Sequence, residues 1–307
     1  MTAMPGAAPT VSAVISSWNK RDDLRENLDA LRKQTRLPDE IVLVDNRSTD
    51  GSIEMVRAEY PEVRLVVMPD SSYGACETFN IGFATSRGDF IAILDDDVRL
   101  PPDWIERMLA RMLEEDETIA ILSCKVVEPG MPDSYRNHPE VNRERYMATF
   151  RGCSSLARRA PLEKAGFYEE RLFIYGNERD LTARLMNRGY RVKYFPSIEA
   201  FHKTPFGMKA GKRSLFFHVR NLWWFLFRYC SVAQIASFVF RQAWPFKKKK
   251  AVLVESVGAI GGWKNVVSTK GGVLVLFKAT FAAFAALPWC LRRREVCRAP
   301  DFSLPDQ

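Results

Sequence analysis

Residues 90–101 read FIAILDDDVRLP, an apolar run from Phe90 to Leu94 that stops abruptly in three carboxylates, Asp95, Asp96 and Asp97. Adjacent acids repel one another and have poor strand propensity, so this junction carries a local cost that a fold alone does not require. A cation is the natural compensation. The apolar half reads as a buried strand, and the acids sit where that strand ends.

Upstream, the pattern is one of alternating strands and helices. VSAVIS (11–16) reads as a strand, and the following helix places Leu24, Leu28 and Leu31 on one stripe. EIVLVD (40–45) is a second strand, NRSTDGS a turn with helix-capping residues, IEMVRAEY a short helix, VRLVVM (63–68) a third strand and 74–86 another helix. Such alternation predicts an α/β fold with a mostly parallel sheet, and such sheets bind ligands beyond the carboxyl ends of their strands. Asp45 and Asp95–Asp97 lie at those ends. Downstream, a helix is expected at 103–115 with Trp104, Met108, Leu109 and Met112 at core spacing, then a strand at 119–127. YMATFRGCSSLARR reads as a strand running into a loop at Gly152. A further helix has Leu181 and Leu185 inward and ends at Gly189, and RVKYF returns as a strand.

With 307 residues, 47% of them hydrophobic and 27% charged, the chain is a folded protein rather than a tail or a fibre. Its net charge of +8 conceals an asymmetry: residues 201–307 carry 18 Lys and Arg against 4 Asp and Glu, while residues 1–200 are acidic. Six scattered cysteines without a C-x-x-C pair suit a reducing compartment, and MTAMPGAAPT does not read as a secretory signal. The expected organisation is a flexible N-terminus (1–9), an α/β domain (10–205) and a basic amphipathic helical region (206–307). In the last, Trp and Phe alternate with Lys and Arg, which suits helices lying on an anionic membrane surface. Whether residues 273–291 span or lie on the bilayer stays open, because Lys278 and Pro288 interrupt the run. Long apolar stretches between the basic clusters argue against nucleic acid as the partner.

Along an extended chain Asp95 and Asp97 point to the same side, a hard-oxygen pair suited to Mg²⁺ or Mn²⁺ and hence to a substrate diphosphate. Glu178 and Asp180 form a second acidic site near a helix start, and His202 is one of three histidines.

Three ordered segments, VSAVISSWNKRDDLRENLDALRKQTRLPDEIVLVDNRSTDGS, GACETFNIGFATSRGDFIAILDDDVRLPPDW and IYGNERDLTARLMNRGYRVKYFPSIEAFH, together resemble family 2 inverting glycosyltransferases of the GT-A fold, most closely rhamnosyl- and galactofuranosyltransferase-like members. The resemblance implies that Asp95, Asp96 and Asp97 bind the metal and the diphosphate of a UDP, dTDP or GDP sugar, with Asp97 as direct ligand. It places Asp45 on the nucleoside with Ser16, Ser17 and Asn19 alongside, makes Glu178 the general base and gives His202 the last metal position. Asp180 then orients the helix or the acceptor, while Gly152, Cys153, Ser154 and Ser155 form an acceptor-side loop and Trp104 stacks on a sugar face. Asn177 stands where the family commonly has an acid, and Asp70 replaces a frequent Asn. The implied activity is transfer to a lipid-linked or polysaccharide acceptor in cell-envelope glycan synthesis, at the cytoplasmic face of the membrane. Two alternatives remain. Asp95-Asp96-Asp97-Val98 also matches the nucleophile motif of haloacid-dehalogenase-type phosphatases, and Asn177 with the basic tail suits a non-catalytic membrane-surface binding protein.

Overall fold

The structure is a computed structural model that describes residues 8–207, 211–243 and 262–304; residues 1–7 and the lysine run 247–250 lie outside them. In chain order the elements are β1 (Val11–Ser17), α1 (Arg21–Arg32), β2 (Glu40–Asp45), α2 (Ser52–Glu59), β3 (Val63–Val67), α3 (Ala75–Thr85), β4 (Phe90–Asp95), β5 (Val98–Arg99), α4 (Trp104–Glu114), β6 (Ile119–Val127), α5 (Asp133–Arg136), β7 (Arg145–Tyr146), β8 (Ser154–Arg158), α6 (Arg159–Ala165), α7 (Asn177–Met186), β9 (Arg191–His202), α8 (Lys212–Tyr229), α9 (Val232–Ala243), α10 (Gly262–Ser268), α11 (Gly272–Ala285) and α12 (Leu287–Arg292). One mixed sheet runs β3-β2-β1-β4-β8-β6-β9-β5, with β7 paired to β9.

The four strands expected from alternation, β1 to β4, are parallel. Their register levels the acidic ends: Ser16 lies opposite Asp95 and Ser17 opposite Asp45. Side chains alternate across the sheet, so Val11, Ala13 and Ile15 join one apolar layer with α1 and α4 while Val14, Ile91 and Ile93 join the other with α3 and α7. Two features depart from the expected pattern. The YMATF segment is mostly irregular, and the strand follows Gly152, as β8, running antiparallel to β4. β9 extends seven residues past RVKYF, through a register shift opposite Cys124 and Lys125, and so carries His202 to the sheet edge.

The aromatic C-terminal helices are packed onto this body. Trp224, Phe227 and Trp289 share an apolar cluster with Phe79 and Leu185. Asp180 supplies a polar clamp at the same junction. Its carboxylate is buried; one oxygen accepts from Arg184 Nε (2.9 Å), the other from Arg228 Nη1 (2.5 Å) and the Tyr229 hydroxyl (2.9 Å). No helix among the described residues is long and apolar enough to cross a membrane, and α11, which overlaps the stretch left open above, has 14 residues. Removing one member of a buried ion cluster leaves its partners uncompensated. Asp180→Ala is therefore expected to lower unfolding free energy by about 3–5 kcal/mol, read from the urea midpoint at constant slope.

Candidate active site

The acids at the ends of β2 and β4 open onto one rim of the sheet. Asp45 is buried; its Oδ1 accepts from the Ser48 backbone N–H (2.7 Å), and its Oδ2 has no hydrogen-bond partner. Asn46 Oδ1, next to it, is likewise buried and unpaired. Orphaned buried acceptors cost free energy unless a ligand satisfies them, so this corner suits donor hydroxyl and N–H groups. Asn19 laces the two flanking loops together: its N–H donates to Ser48 Oγ (2.8 Å) and its Oδ1 accepts from the Thr49 N–H (2.8 Å). Asn19 thus shapes the corner, and the Ser16 hydroxyl is engaged with Thr78 Oγ1 (2.7 Å).

At the end of β4, topology gathers groups that are far apart in sequence. The β5–β9 pairing sets His202 opposite Val98, which places its ring against the aspartates. His202 Nε2 lies 3.1 Å from Asp97 Oδ1 and 3.7 Å from Asp95 Oδ2, while Nδ1 lies 2.9 Å from Glu128 Oε1. Burial opposes charge on this imidazole, but Asp97, Glu128 and Asp95 outweigh it and push the ring up to about 9. Asp97 Oδ2 accepts from Lys20 Nζ (2.6 Å) and Thr204 Oγ1 (3.0 Å). Burial works against the Asp97 charge too, yet His202 and Lys20 hold its carboxyl well below the usual range. Asp96 is pushed up to about 7, first by burial and then by Asp97, and Asp95 is also raised by burial. Burial is what chiefly opposes ionisation of these two carboxyls, and a bound cation would offset it.

A divalent cation suits the donor set. Asp95, Cys153 and His202 each present a ligand atom within 4.8 Å of the other two, Asp97 touches the same imidazole nitrogen, and Glu128 orients the ring from behind as an outer-shell carboxylate does in metal sites. Glu128 Oε1 also accepts from Arg151 (2.7 Å), and its Oε2 is unpaired.

Glu178 stands at the start of α7, which the chain enters through Gly176 in the left-handed region (φ 75°). Its Oε1 accepts from Asn177 Nδ2 (3.1 Å), so the amide found in place of a family acid supports the neighbouring carboxylate. Burial and then the charge of Asp95 push Glu178 up to about 7. A Cβ at residue 152 would come within 2.3 Å of Glu178 Oε1, so Gly152 is the floor on which the carboxylate rests.

Three expectations from sequence do not fit this geometry. Trp104 is fully buried and its Nε1 donates to Cys124 Sγ, so it is a core residue with no face for a sugar. Asp180, two residues beyond Glu178, is turned about 200° around the helix into the α8 clamp, so of its two expected roles it serves to orient the helix and is turned away from the acceptor side of the rim. Ser154 and Ser155 are fully buried, bonded to Cys124 and to Ser123 with the Arg151 carbonyl, which leaves Gly152 and Cys153 as the part of that loop bordering the site. The sequence reading missed Lys20, Glu128, Arg151 and Thr204. Glu128 had a usable signal, an acid closing an apolar strand as Asp45 and Asp95 do; the others emerge only from loop packing.

The model of "Glycosyl transferase family 2" matches residues 12–195, which contain both acidic strand ends and the Glu178 helix. An uncharacterized glycosyltransferase of Haemophilus influenzae is 28% identical over 145 residues, 45% of this chain and 48% of the relative. An undecaprenyl-phosphate 4-deoxy-4-formamido-L-arabinose transferase of Edwardsiella ictaluri is 38% identical over 109 residues, 32% of each. The chain thus spans less than half the length of these two relatives. Among solved structures, the mannosyltransferase PcManGT from Pyrobaculum calidifontis, in complex with GDP-Man and Mn²⁺, superposes with a TM-score of 0.56 at 20% identity over 92% of this chain and 76% of that one. The fold is that of GT-A enzymes, and with the family model covering more than half of its residues, the chain belongs to glycosyl transferase family 2.

Proposed function

We propose that this protein transfers a sugar from a nucleotide-diphospho-sugar to an acceptor hydroxyl in one inverting displacement, with Glu178 as general base. The observation that carries this reading is the pairing, on one sheet rim, of a cation-deficient acid cluster with a separate half-buried carboxylate raised to about 7. The donor nucleoside would occupy the Asp45–Asn46 corner, where buried acceptors lack partners. Asp95, Asp97 and His202 would hold Mg²⁺ or Mn²⁺, whose role when bound is to neutralise the departing diphosphate. Lys20 adds a cation on the same side. Glu178 accepts the hydroxyl proton as the acceptor oxygen bonds to the anomeric carbon and the carbon–diphosphate bond breaks. Asn177 and Gly152 hold that carboxylate in place. The GDP-Man and Mn²⁺ bound to PcManGT support a nucleotide sugar and a divalent ion as companions of this fold. The undecaprenyl-phosphate named for the Edwardsiella relative supports a lipid-linked acceptor, and the motif resemblance supports rhamnosyl or galactofuranosyl transfer as the narrower form.

The phosphatase alternative would make Asp95 the nucleophile on the fourth strand of the chain, inside the segment matched by the family model; nothing in the geometry favours it. Association with an anionic bilayer at the cytoplasmic face is part of the proposal. It is supported by Leu274, Phe277 and Phe281, 60–77% exposed along one stripe of α11, and by the absence of any acid from residue 262 to residue 294.

Calorimetry with Mn²⁺ against UDP, dTDP and GDP sugars should show binding by the wild type that Asp97→Ala loses; equal binding by both would remove the site. Because the base works as a carboxylate, turnover should rise with pH through about 7 and level off above it. Glu178→Gln should lose roughly 10²–10⁴-fold in kcat. Gly152→Ala, which displaces that carboxylate while leaving the unfolding midpoint intact, should cost about 100-fold. Phe277→Asp with Phe281→Asp should abolish co-sedimentation with anionic vesicles, and a wild type that stays in the supernatant would rule out the bilayer.

A further inference from the structure

We propose that Cys153 joins Asp95, Asp97 and His202 as a sulfur ligand of the cation site, which then takes thiophilic divalent ions such as Zn²⁺ or Co²⁺ in preference to Mg²⁺. The inference rests on the cation reading given above and adds a ligand to it.

The placement follows from strand pairing. β8 runs antiparallel beside β4 with Leu94 opposite Ser154, and the pairing continues one step further, where the Asp95 N–H donates to the Cys153 carbonyl (3.2 Å). Directly opposed residues of an antiparallel pair show their side chains on the same face. Asp95 and Cys153 are therefore fixed as lateral neighbours by backbone hydrogen bonds, and the β5–β9 pairing adds His202. The three ligand atoms lie within 4.8 Å of one another. At a tetrahedral ion, metal–sulfur and metal–nitrogen bonds of about 2.3 and 2.1 Å set the two ligand atoms roughly 3.6 Å apart, so the three draw together by up to about 1 Å for one ion to reach them all, with a position left for a substrate diphosphate.

The other side chains nearby are consistent with this ligand set. Cys124, one strand away, is used inside the core, where Trp104 Nε1 (3.3 Å) and Ser154 Oγ (3.2 Å) meet its sulfur. Cys153 Sγ has a long contact to Ser154 Oγ (3.9 Å) and lies beside the Arg151 guanidinium, while burial pushes the free thiol well up, so it is a bound cation that would draw off the proton. Asp97 touches His202 as well, but Lys20 and Thr204 occupy its second oxygen. On coordination the metal–sulfur bond replaces S–H and the proton leaves to water. A sulfur donor shifts selectivity toward softer ions, because thiolate suits zinc-like metals while carboxylate and water suit Mg²⁺.

The test is Co²⁺ titration of the full chain, alone and with GDP or UDP, followed by equilibrium dialysis and absorption. Bound Co²⁺ should give a sulfur-to-cobalt charge-transfer band in the near ultraviolet. Cys153→Ser and Cys153→Ala should lose the band, Cys124→Ser should keep it, and the preference for Co²⁺ over Mg²⁺ should fall at least about tenfold in the Cys153 variants, the scale of losing even an outer-shell partner. Co²⁺ bound by the wild type without the band, or a band that survives in the Cys153 variants, would overturn the sulfur ligand and leave a carboxylate–histidine site standing. No Co²⁺ bound under any of these conditions would overturn both. The wild-type spectrum decides the matter even if a variant fails to fold.

Discussion

The constraint on which the rest depends is an excess of negative charge fixed at the end of β4. Asp95, Asp96, Asp97 and Glu128 converge there, answered by Lys20, Arg151 and His202. Two unit charges 4 Å apart interact by about 4 kcal/mol at the effective dielectric of a protein surface. The cluster holds because its carriers cannot separate. Asp95 is tied into the sheet, Asp97 accepts from three donors, and the Asn27 amide bonds the Asp95 and Val98 carbonyls on either side of the acidic turn. Asp96 is raised first by burial and then by Asp97, while the carboxylates around His202 raise its ring against the effect of burial.

Glu178 answers to a different set of forces. Its carboxylate rests on Gly152, takes a hydrogen bond from Asn177 and lies in a partly dry corner beside Asp95. The helix that presents it is pinned from behind by Asp180, Arg184, Arg228 and Tyr229. The basic C-terminal helices are thereby coupled mechanically to Glu178: α8 braces α7 from the side opposite the rim, and α11 and α12 in turn pack against α8. A helical region that reads as a separate unit by composition is part of the scaffold of the site. Its outward stripe on α11 faces away from that scaffold, and one appendage can both brace the site and meet a surface.

Much was legible in sequence because it follows from short-range periodicity. Short apolar runs in 11–17, 40–45 and 90–95, alternating with helices, read as parallel strands, and the acids closing the last two marked the rim, because a parallel sheet exposes those ends together. Glu178 and His202 were legible only through the resemblance of ordered motifs. Trp104 does not meet a sugar, which was not legible because helical spacing cannot distinguish a core aromatic from one lining a cleft, and the choice between the helix and the acceptor for Asp180 was not legible because proximity in sequence to Glu178 says nothing of the roughly 200° between them on the helix.

By itself, the amino-acid sequence determined the alternating β-α order, the acidic strand ends and the basic aromatic character of residues 206–307, since each is written in neighbouring residues. Tertiary structure alone decided that β8 runs antiparallel and sets Cys153 beside Asp95, that β9 carries His202 to Asp97, and that Lys20, Glu128 and Arg151 complete the cluster. Those contacts join residues separated by 23 to 105 positions in the chain, and no local pattern encodes a register between strands so far apart.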